Sequence, residues 1–131
     1  MTRVLIVDDD HDTREAMRFL LEDAGYEVVE APEGNAALDM LRTSRDRVVV
    51  LLDWMMPGMG GAEVLSAVAN DGALSGQHAF VLVTASPAYV STAVIELASA
   101  LSVPVVSKPF DVEVLLQVVA AAAQRLPATG E

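Results

Sequence analysis

Asp53 combines a reactive residue type with a position where ligands usually bind. It follows the apolar run 48–52, which predicts a strand buried on both faces of a sheet. The proline and glycines of the next segment, 56–61, predict a turn into a helix. Ligands bind at the carboxyl edge of open parallel sheets, so Asp53 is the leading candidate for chemistry.

Three further acids follow the first predicted strand. The short apolar run 4–7 ends in Asp8, Asp9 and Asp10. If the first and third strands are neighbours, Asp8, Asp9 and Asp53 line one crevice, and their repulsion predicts a raised pKa for at least one of them. An ideal strand would point two adjacent acids to opposite faces. We therefore expect one acid to bind a cation directly and the other to act through water or the turn backbone.

A divalent cation with oxygen ligands is the simplest compensation for three converging carboxylates, and Mg²⁺ is common where a site also receives phosphate. Together with Lys108 it would bring the formal charge of the crevice to zero.

An ionised carboxylate beside such a cation can attack phosphorus and form an acyl phosphate, which makes Asp53 the candidate nucleophile. Thr84 and Lys108 would hold the phosphoryl oxygens. Asp10 and Asp12 are interpreted as acids of a solvated helix start.

Strands and helices alternate along the chain. Apolar runs predict five strands, at 4–7, 27–31, 48–52, 80–84 and 103–106. Periodicity and capping residues predict five helices, at 12–24, 35–42, 62–70, 88–100 and 112–124. Right-handed helical crossovers between parallel strands place helices on both faces of the sheet. The predicted fold is a doubly wound α/β domain with a five-stranded parallel sheet.

Composition narrows the possible functions. A chain of 131 residues can form one domain, which we expect at 1–126, followed by a disordered tail at 127–131. The sequence contains no cysteine, which excludes thiol catalysis and thiolate zinc sites. The net charge of -11 disfavours direct binding of nucleic acid. Since the apolar segments are shorter than a membrane span, we expect a cytoplasmic protein without membrane contact.

Residues 3–125 resemble a response regulator receiver domain of two-component signalling. The matching motifs are Val7-Asp8-Asp9, Asp53-x-x-Met56-Pro57-x-Met59-x-Gly61, Thr84-Ala85 and Lys108-Pro109-Phe110. The resemblance implies a flavodoxin-like strand order of 2-1-3-4-5. It also implies a phosphoprotein switch, rather than a turnover enzyme, that receives its phosphoryl group from a sensor histidine kinase or from a histidine phosphotransfer protein in a phosphorelay.

The resemblance implies a role for each residue of the acidic crevice. Asp53 would accept the phosphoryl group. Asp9 and the backbone carbonyl of Met55 would bind Mg²⁺ beside Asp53, and Asp8 would help through water. The hydroxyl and ammonium after the fourth and fifth strands would contact the phosphoryl oxygens.

One departure from the family concerns how the signal leaves the site. Val105 stands three residues before Lys108, where the family often has an aromatic residue that turns inward on activation. The segment LSVPVVS, 101–107, also replaces the usual glycine-alanine turn. A readout through a moving ring is therefore not expected in this chain.

A contact surface for a downstream protein partner or a homodimer is predicted at the fourth helix, fifth strand and fifth helix. Segment 89–101 has Glu96 as its one charged residue, and 118–123 is entirely apolar. Helices that are apolar all round are either buried or bound to a partner. The simpler alternative is that alanine is the best helix former, so that its runs need no partner.

Two other function classes are open. A hydrolase with an aspartyl-phosphate intermediate would share the nucleophile and the magnesium, but it needs a second acid two residues after Asp53, where Met55 stands. A receiver-like module that only binds proteins would not need the acids, which this chain keeps.

Overall fold

The computed structural model describes residues 2–56, 58–84, 92–108 and 111–127. The strands are β1 Arg3–Val7, β2 Glu27–Ala31, β3 Val48–Asp53, β4 Ala79–Thr84 and β5 Val105–Ser107. The helices are α1 His11–Asp23, α2 Gly34–Thr43, α3 Gly61–Ala69, α4 Gly72–Gln77, α5 Thr92–Ala100 and α6 Val112–Arg125. The predicted fourth and fifth helices correspond to α5 and α6.

The five strands form one parallel sheet in the order β2-β1-β3-β4-β5, which confirms the predicted fold and strand order. Val7 pairs with Leu52, and Asp53 pairs with Val83. Because all strands run the same way, the residues that follow β1, β3, β4 and β5 meet at one edge. The acidic and basic residues singled out in the sequence lie at this edge.

Apolar side chains cover both faces of the sheet, as a doubly wound fold requires. Leu5 and Leu52 pack on one face with α2 and α3, whereas Ile6 and Leu51 pack on the other with α1 and α6. All six residues of β3 are buried. Each fully buried leucine or isoleucine contributes roughly 1.5–3 kcal/mol, so the strand that carries Asp53 is anchored from both sides.

A sixth helix, α4, was not predicted. Its sequence, GALSGQ, contains two glycines and too few apolar residues to show a helical period. Asp71 caps it by accepting hydrogen bonds from the backbone N–H groups of Ala73 at 3.1 Å and Leu74 at 3.4 Å. Leu74 is buried, so one cap and one apolar anchor stabilise this short helix.

Strand β5 begins two residues later than predicted. The N–H of Val103 donates to the carbonyl of Ala98 at 2.7 Å, and Pro104 has no N–H to offer a neighbouring strand. Ser102, at the end of α5, has φ 58, a left-handed conformation that glycine usually provides. The chain therefore makes this turn without the glycine that the family usually has.

Several predicted features lie outside the described residues. They are the start of the predicted fourth helix at 88–91, the motif residues Pro57, Ala85, Pro109 and Phe110, and residues 128–131 of the predicted tail. Among the described helices, none is long and apolar enough to cross a membrane.

Candidate functional site

Asp53 is the last residue of β3 and is buried. The N–H of the next residue, Trp54, still donates to the carbonyl of Val83 at 2.9 Å, so the sheet pairing holds the backbone on both sides of Asp53. The start of α3 packs tightly against this point. A Cβ on Gly61 would lie 2.8 Å from the carbonyl oxygen of Asp53, so no larger residue fits there without a backbone shift.

Asp8 and Asp9 bring their carboxylates to the same place. One oxygen from each of Asp8, Asp9 and Asp53 lies within 4.8 Å of the other two. Asp8 is buried and Asp9 is exposed. The backbone N–H of Asp10 donates to Oδ1 of Asp8 at 2.9 Å, so the turn backbone orients this acid. The strand ends at Val7, which lets two adjacent acids face one notch.

Lys108 supplies the positive charge of the notch. Its Nζ lies 2.8 Å from Oδ2 of Asp8 and 3.5 Å from Oδ1 of Asp53. Its backbone N–H donates to the carbonyl of Thr84 at 2.7 Å, which ties the end of β5 to the end of β4. Thr84 is fully buried at this edge. The predicted residues of the site thus come from the ends of four strands.

The notch raises the pKa of Asp53 from 3.8 to about 6. Burial is the largest cause, and the negative charge of Asp8 adds to it, whereas Lys108 and the backbone amide of Met55 oppose it. A raised pKa was predicted from repulsion alone. The larger part of the pKa increase comes from desolvation, because Asp53 is still a residue of the buried strand β3.

The same surroundings also raise the pKa of Lys108, but for a different reason. Burial lowers the pKa of Lys108, but its contacts with Asp8 and Asp53 outweigh burial, so the pKa lies above its usual value. The ammonium is therefore charged at neutral pH and offsets part of the acidic charge.

The three carboxylates fit a hard divalent cation. All of the donors are oxygens, and they lie within 4.8 Å of one another, close enough to share one hard cation. The exposure of Asp9 leaves the notch open to solvent, as a metal with retained waters requires. The side chain of Met55 is 65% exposed, and coordination by its backbone carbonyl stays a prediction.

Arg14 lies against the notch and was missed in the sequence. Its Nη1 donates to the backbone carbonyl of Asp8 at 2.6 Å, and its Nε lies 3.0 Å from Oε1 of Glu30. Two sequence signals were available: an arginine one helical turn after the acidic run, and an acid inside the predicted strand 27–31. Neither signal shows that Arg14 contacts Asp8 and Glu30 until the fold is known.

Comparison with known proteins decides the family. Residues 4–120 match the family model of the response regulator receiver domain. The chain belongs to this family. Members of the family act as switch domains in two-component signalling, and the acidic notch described above is the part of this receiver domain that could hold a metal.

Individual relatives support the same family assignment. The chain is 39% identical over 114 residues to the chemotaxis protein CheY of Pseudomonas aeruginosa, a match that covers 86% of this chain and 89% of that protein. A CheY-like receiver domain from Methanospirillum hungatei superimposes with a TM-score of 0.80 at 34% identity, covering 95% of this chain and 96% of the other.

A further solved structure is that of the response regulator TrrA from Thermotoga maritima in complex with Mg²⁺-BeF. Its TM-score is 0.76 at 30% identity, with 93% of this chain and 99% of that chain covered. Three other curated relatives are matched over 61, 65 and 70 residues, which is about half of this chain and 26%, 49% and 30% of their own length.

Asp53→Asn is predicted to stabilise the metal-free domain at pH 8. The folded protein raises the pKa of Asp53 to about 6 from 3.8, so folding favours the protonated carboxyl. The stability that this group contributes is present at low pH and is lost as the pH rises through about 6. A shift of this size corresponds to at most about 3 kcal/mol at pH 8. Chemical denaturation without divalent cations, from about pH 5 to about pH 8, measures the difference.

Asp12→Asn is the matched control, because it removes the same charge from an exposed site in the first turn of α1. We expect the advantage of Asp53→Asn over the parent to shrink toward pH 5 and Asp12→Asn to show no such trend. A variant at 53 that is no more stable than the parent at any pH in this range would contradict the account.

Proposed function

We propose that this receiver domain accepts a phosphoryl group on Asp53 in an Mg²⁺-dependent transfer from a histidine kinase or a histidine phosphotransfer protein. The observation that carries the proposal is the convergence of Asp8, Asp9 and Asp53 within 4.8 Å, with Lys108 at 2.8 and 3.5 Å from two of them. Acids held this close need a cation, and a phosphoryl group brings further negative charge that the same cations can balance.

Each residue has a distinct task in the proposed transfer. The carboxylate of Asp53 attacks phosphorus, so that a new O–P bond forms as the N–P bond of the donor phosphohistidine breaks; the electron pair stays on that nitrogen, and the ring leaves as neutral imidazole with the proton that its other nitrogen already carries. Bound Mg²⁺, held by Asp9, Asp53 and the carbonyl of Met55, with Asp8 acting through water, would neutralise charge on the transferring oxygens. Lys108 and Thr84 would bind the remaining phosphoryl oxygens.

The proposed output is a switch in protein binding. Phosphorylation adds charge beside Lys108 and draws it from Asp8 toward the phosphoryl group. The backbone of Lys108 is bonded to β4, so this change is passed to the end of β5. The proposal treats residues 1–126 as the switch domain and places it in the cytoplasm.

A hydrolase is the weaker candidate. Position 55, where a second acid would act, holds an exposed methionine. A module that only binds proteins is also weaker, because it has no need of a buried carboxylate whose pKa is raised to about 6. Such a costly group is more typical of a functional site than of a scaffold.

Incubation with acetyl phosphate and Mg²⁺, followed by intact mass measurement, tests the proposal. We expect one added phosphoryl group that is absent in Asp53→Asn and when Mg²⁺ is chelated. Lys108→Met is predicted to slow the addition about a hundredfold, since it removes a charged donor to the phosphoryl oxygens. Asp12→Asn should label like the parent. Continuous turnover without stable addition would favour the hydrolase, and no reaction would favour the binding module.

We further propose that phosphorylation strengthens contact through an apolar surface formed by α5, β5 and α6. Four large apolar residues of this surface are exposed: Ile95, Val105, Val112 and Val114. Strand β5 is the last strand of the sheet, with α5 on one face and α6 on the other, so we place the contact at this edge. Val105 stands where the family often has an aromatic residue, so here it would be part of the contact itself.

Sedimentation velocity with and without a beryllofluoride phosphate mimic tests this surface. We expect a dimer with the mimic and a monomer without it, and Val105→Lys should remain monomeric in both conditions. Phe19→Lys is the control, because Phe19 is an exposed apolar residue of α1, which is not one of the three elements of the proposed surface, and its replacement should leave the dimer intact. A parent protein that is monomeric in both conditions contradicts the homodimer.

A further inference from the structure

We propose that Arg14 is a positioning residue that orients the peptide between Asp8 and Asp9, and that Glu30 holds Arg14 in place for this task. The inference rests on the proposed function, since it concerns the metal-binding side of the same site.

The acidic turn has an orientation that a regular strand does not provide. Side chains of consecutive strand residues point to opposite faces, yet oxygens of Asp8 and Asp9 lie within 4.8 Å of each other and of Asp53. The strand ends at Val7, and the N–H of Asp8 still donates to the carbonyl of Ala31 at 3.2 Å. The direction of the next peptide therefore decides where the carboxylate of Asp9 goes.

Arg14 fixes that peptide. Its Nη1 donates to the carbonyl of Asp8 at 2.6 Å, and its own backbone N–H donates to the carbonyl of Asp10 at 3.1 Å. A hydrogen bond from a charged donor is stronger than one between neutral groups. Because the peptide is planar, holding the carbonyl of Asp8 also sets the direction of the N–H of Asp9.

Glu30 holds the guanidinium in this position. The side chains of Arg14 and Glu30 are 13% and 22% exposed, and their ion pair measures 3.0 Å. Arg18 also binds Glu30, and its Nη2 donates to the carbonyl of Val28 at 3.1 Å, so the carboxylate is tied to β2. Glu30 also balances the charge of Arg14. The site thus gains an oriented hydrogen-bond donor whose positive charge is already paired with Glu30.

A role of Arg14 through its charge and a role through positioning predict opposite changes in Mg²⁺ affinity when Arg14 is replaced. If Arg14 acted only through its charge, its removal would make the notch more negative and tighten Mg²⁺ binding. If it positions the acids, its removal weakens binding, and loss of a residue that orients metal ligands typically costs about 10- to 100-fold in affinity.

Calorimetric titration of the unphosphorylated protein with Mg²⁺ distinguishes the charge role from the positioning role. We expect Arg14→Met to bind Mg²⁺ about tenfold more weakly than the parent. Arg18→Met is the matched control, since it removes a charge from the same helix and the same Glu30 partner, and it should bind within about twofold of the parent. Arg14→Lys keeps the charge but lacks the planar fork, and it should bind several-fold more weakly.

Unchanged or tighter binding by Arg14→Met overturns the proposal, as does an equal loss in Arg18→Met. Parent-like binding by Arg14→Lys overturns it even where Arg14→Met does not fold. A parent that binds Mg²⁺ but takes up no phosphoryl group contradicts the proposed function and leaves this comparison valid.

Discussion

The burial and mutual repulsion of carboxylates held at the end of a rigid sheet are the constraint on which the rest of the site depends. The buried residues of β3 and the neighbouring strands fix Asp53 in place, and Asp8 is buried beside it. These groups cannot move apart to relieve their repulsion, because the packing that holds them is the core of the protein. The raised pKa of Asp53 reflects its burial first and the negative charge of Asp8 second, and Lys108 opposes both effects.

This arrangement makes the site responsive to charge. Lys108 contacts Asp8 more closely than Asp53, and it reaches both from the end of β5. In the proposed switch, a cation or a phosphoryl group in the notch would change which partner Lys108 contacts. The backbone N–H of Lys108 donates a hydrogen bond to Thr84, so such a change would also displace the ends of β4 and β5. The exposed Val105 lies on β5. The chemistry and the proposed contact surface are therefore connected through one short segment.

The sequence predicts the fold and the notch because both follow from local patterns. Short apolar runs that end in acids mark the strands and name Asp53, Asp8 and Lys108 as candidates, whereas the strand order that makes β1 and β3 neighbours was implied by the family resemblance. The roles of Arg14 and Glu30 could not, because they depend on which side of β2 faces α1. The turn at Ser102 and the short helix α4 were missed because tertiary contacts outweigh their weak local signals.

A crystal structure grown with Mg²⁺ tests the convergence of the acids most directly. The account predicts an ion about 2.1 Å from a carboxylate oxygen of Asp9, one of Asp53 and the carbonyl of Met55, with Asp8 within reach of a bound water. An ion bound elsewhere, or a notch in which Asp9 and Asp53 point apart at saturating Mg²⁺, would contradict it.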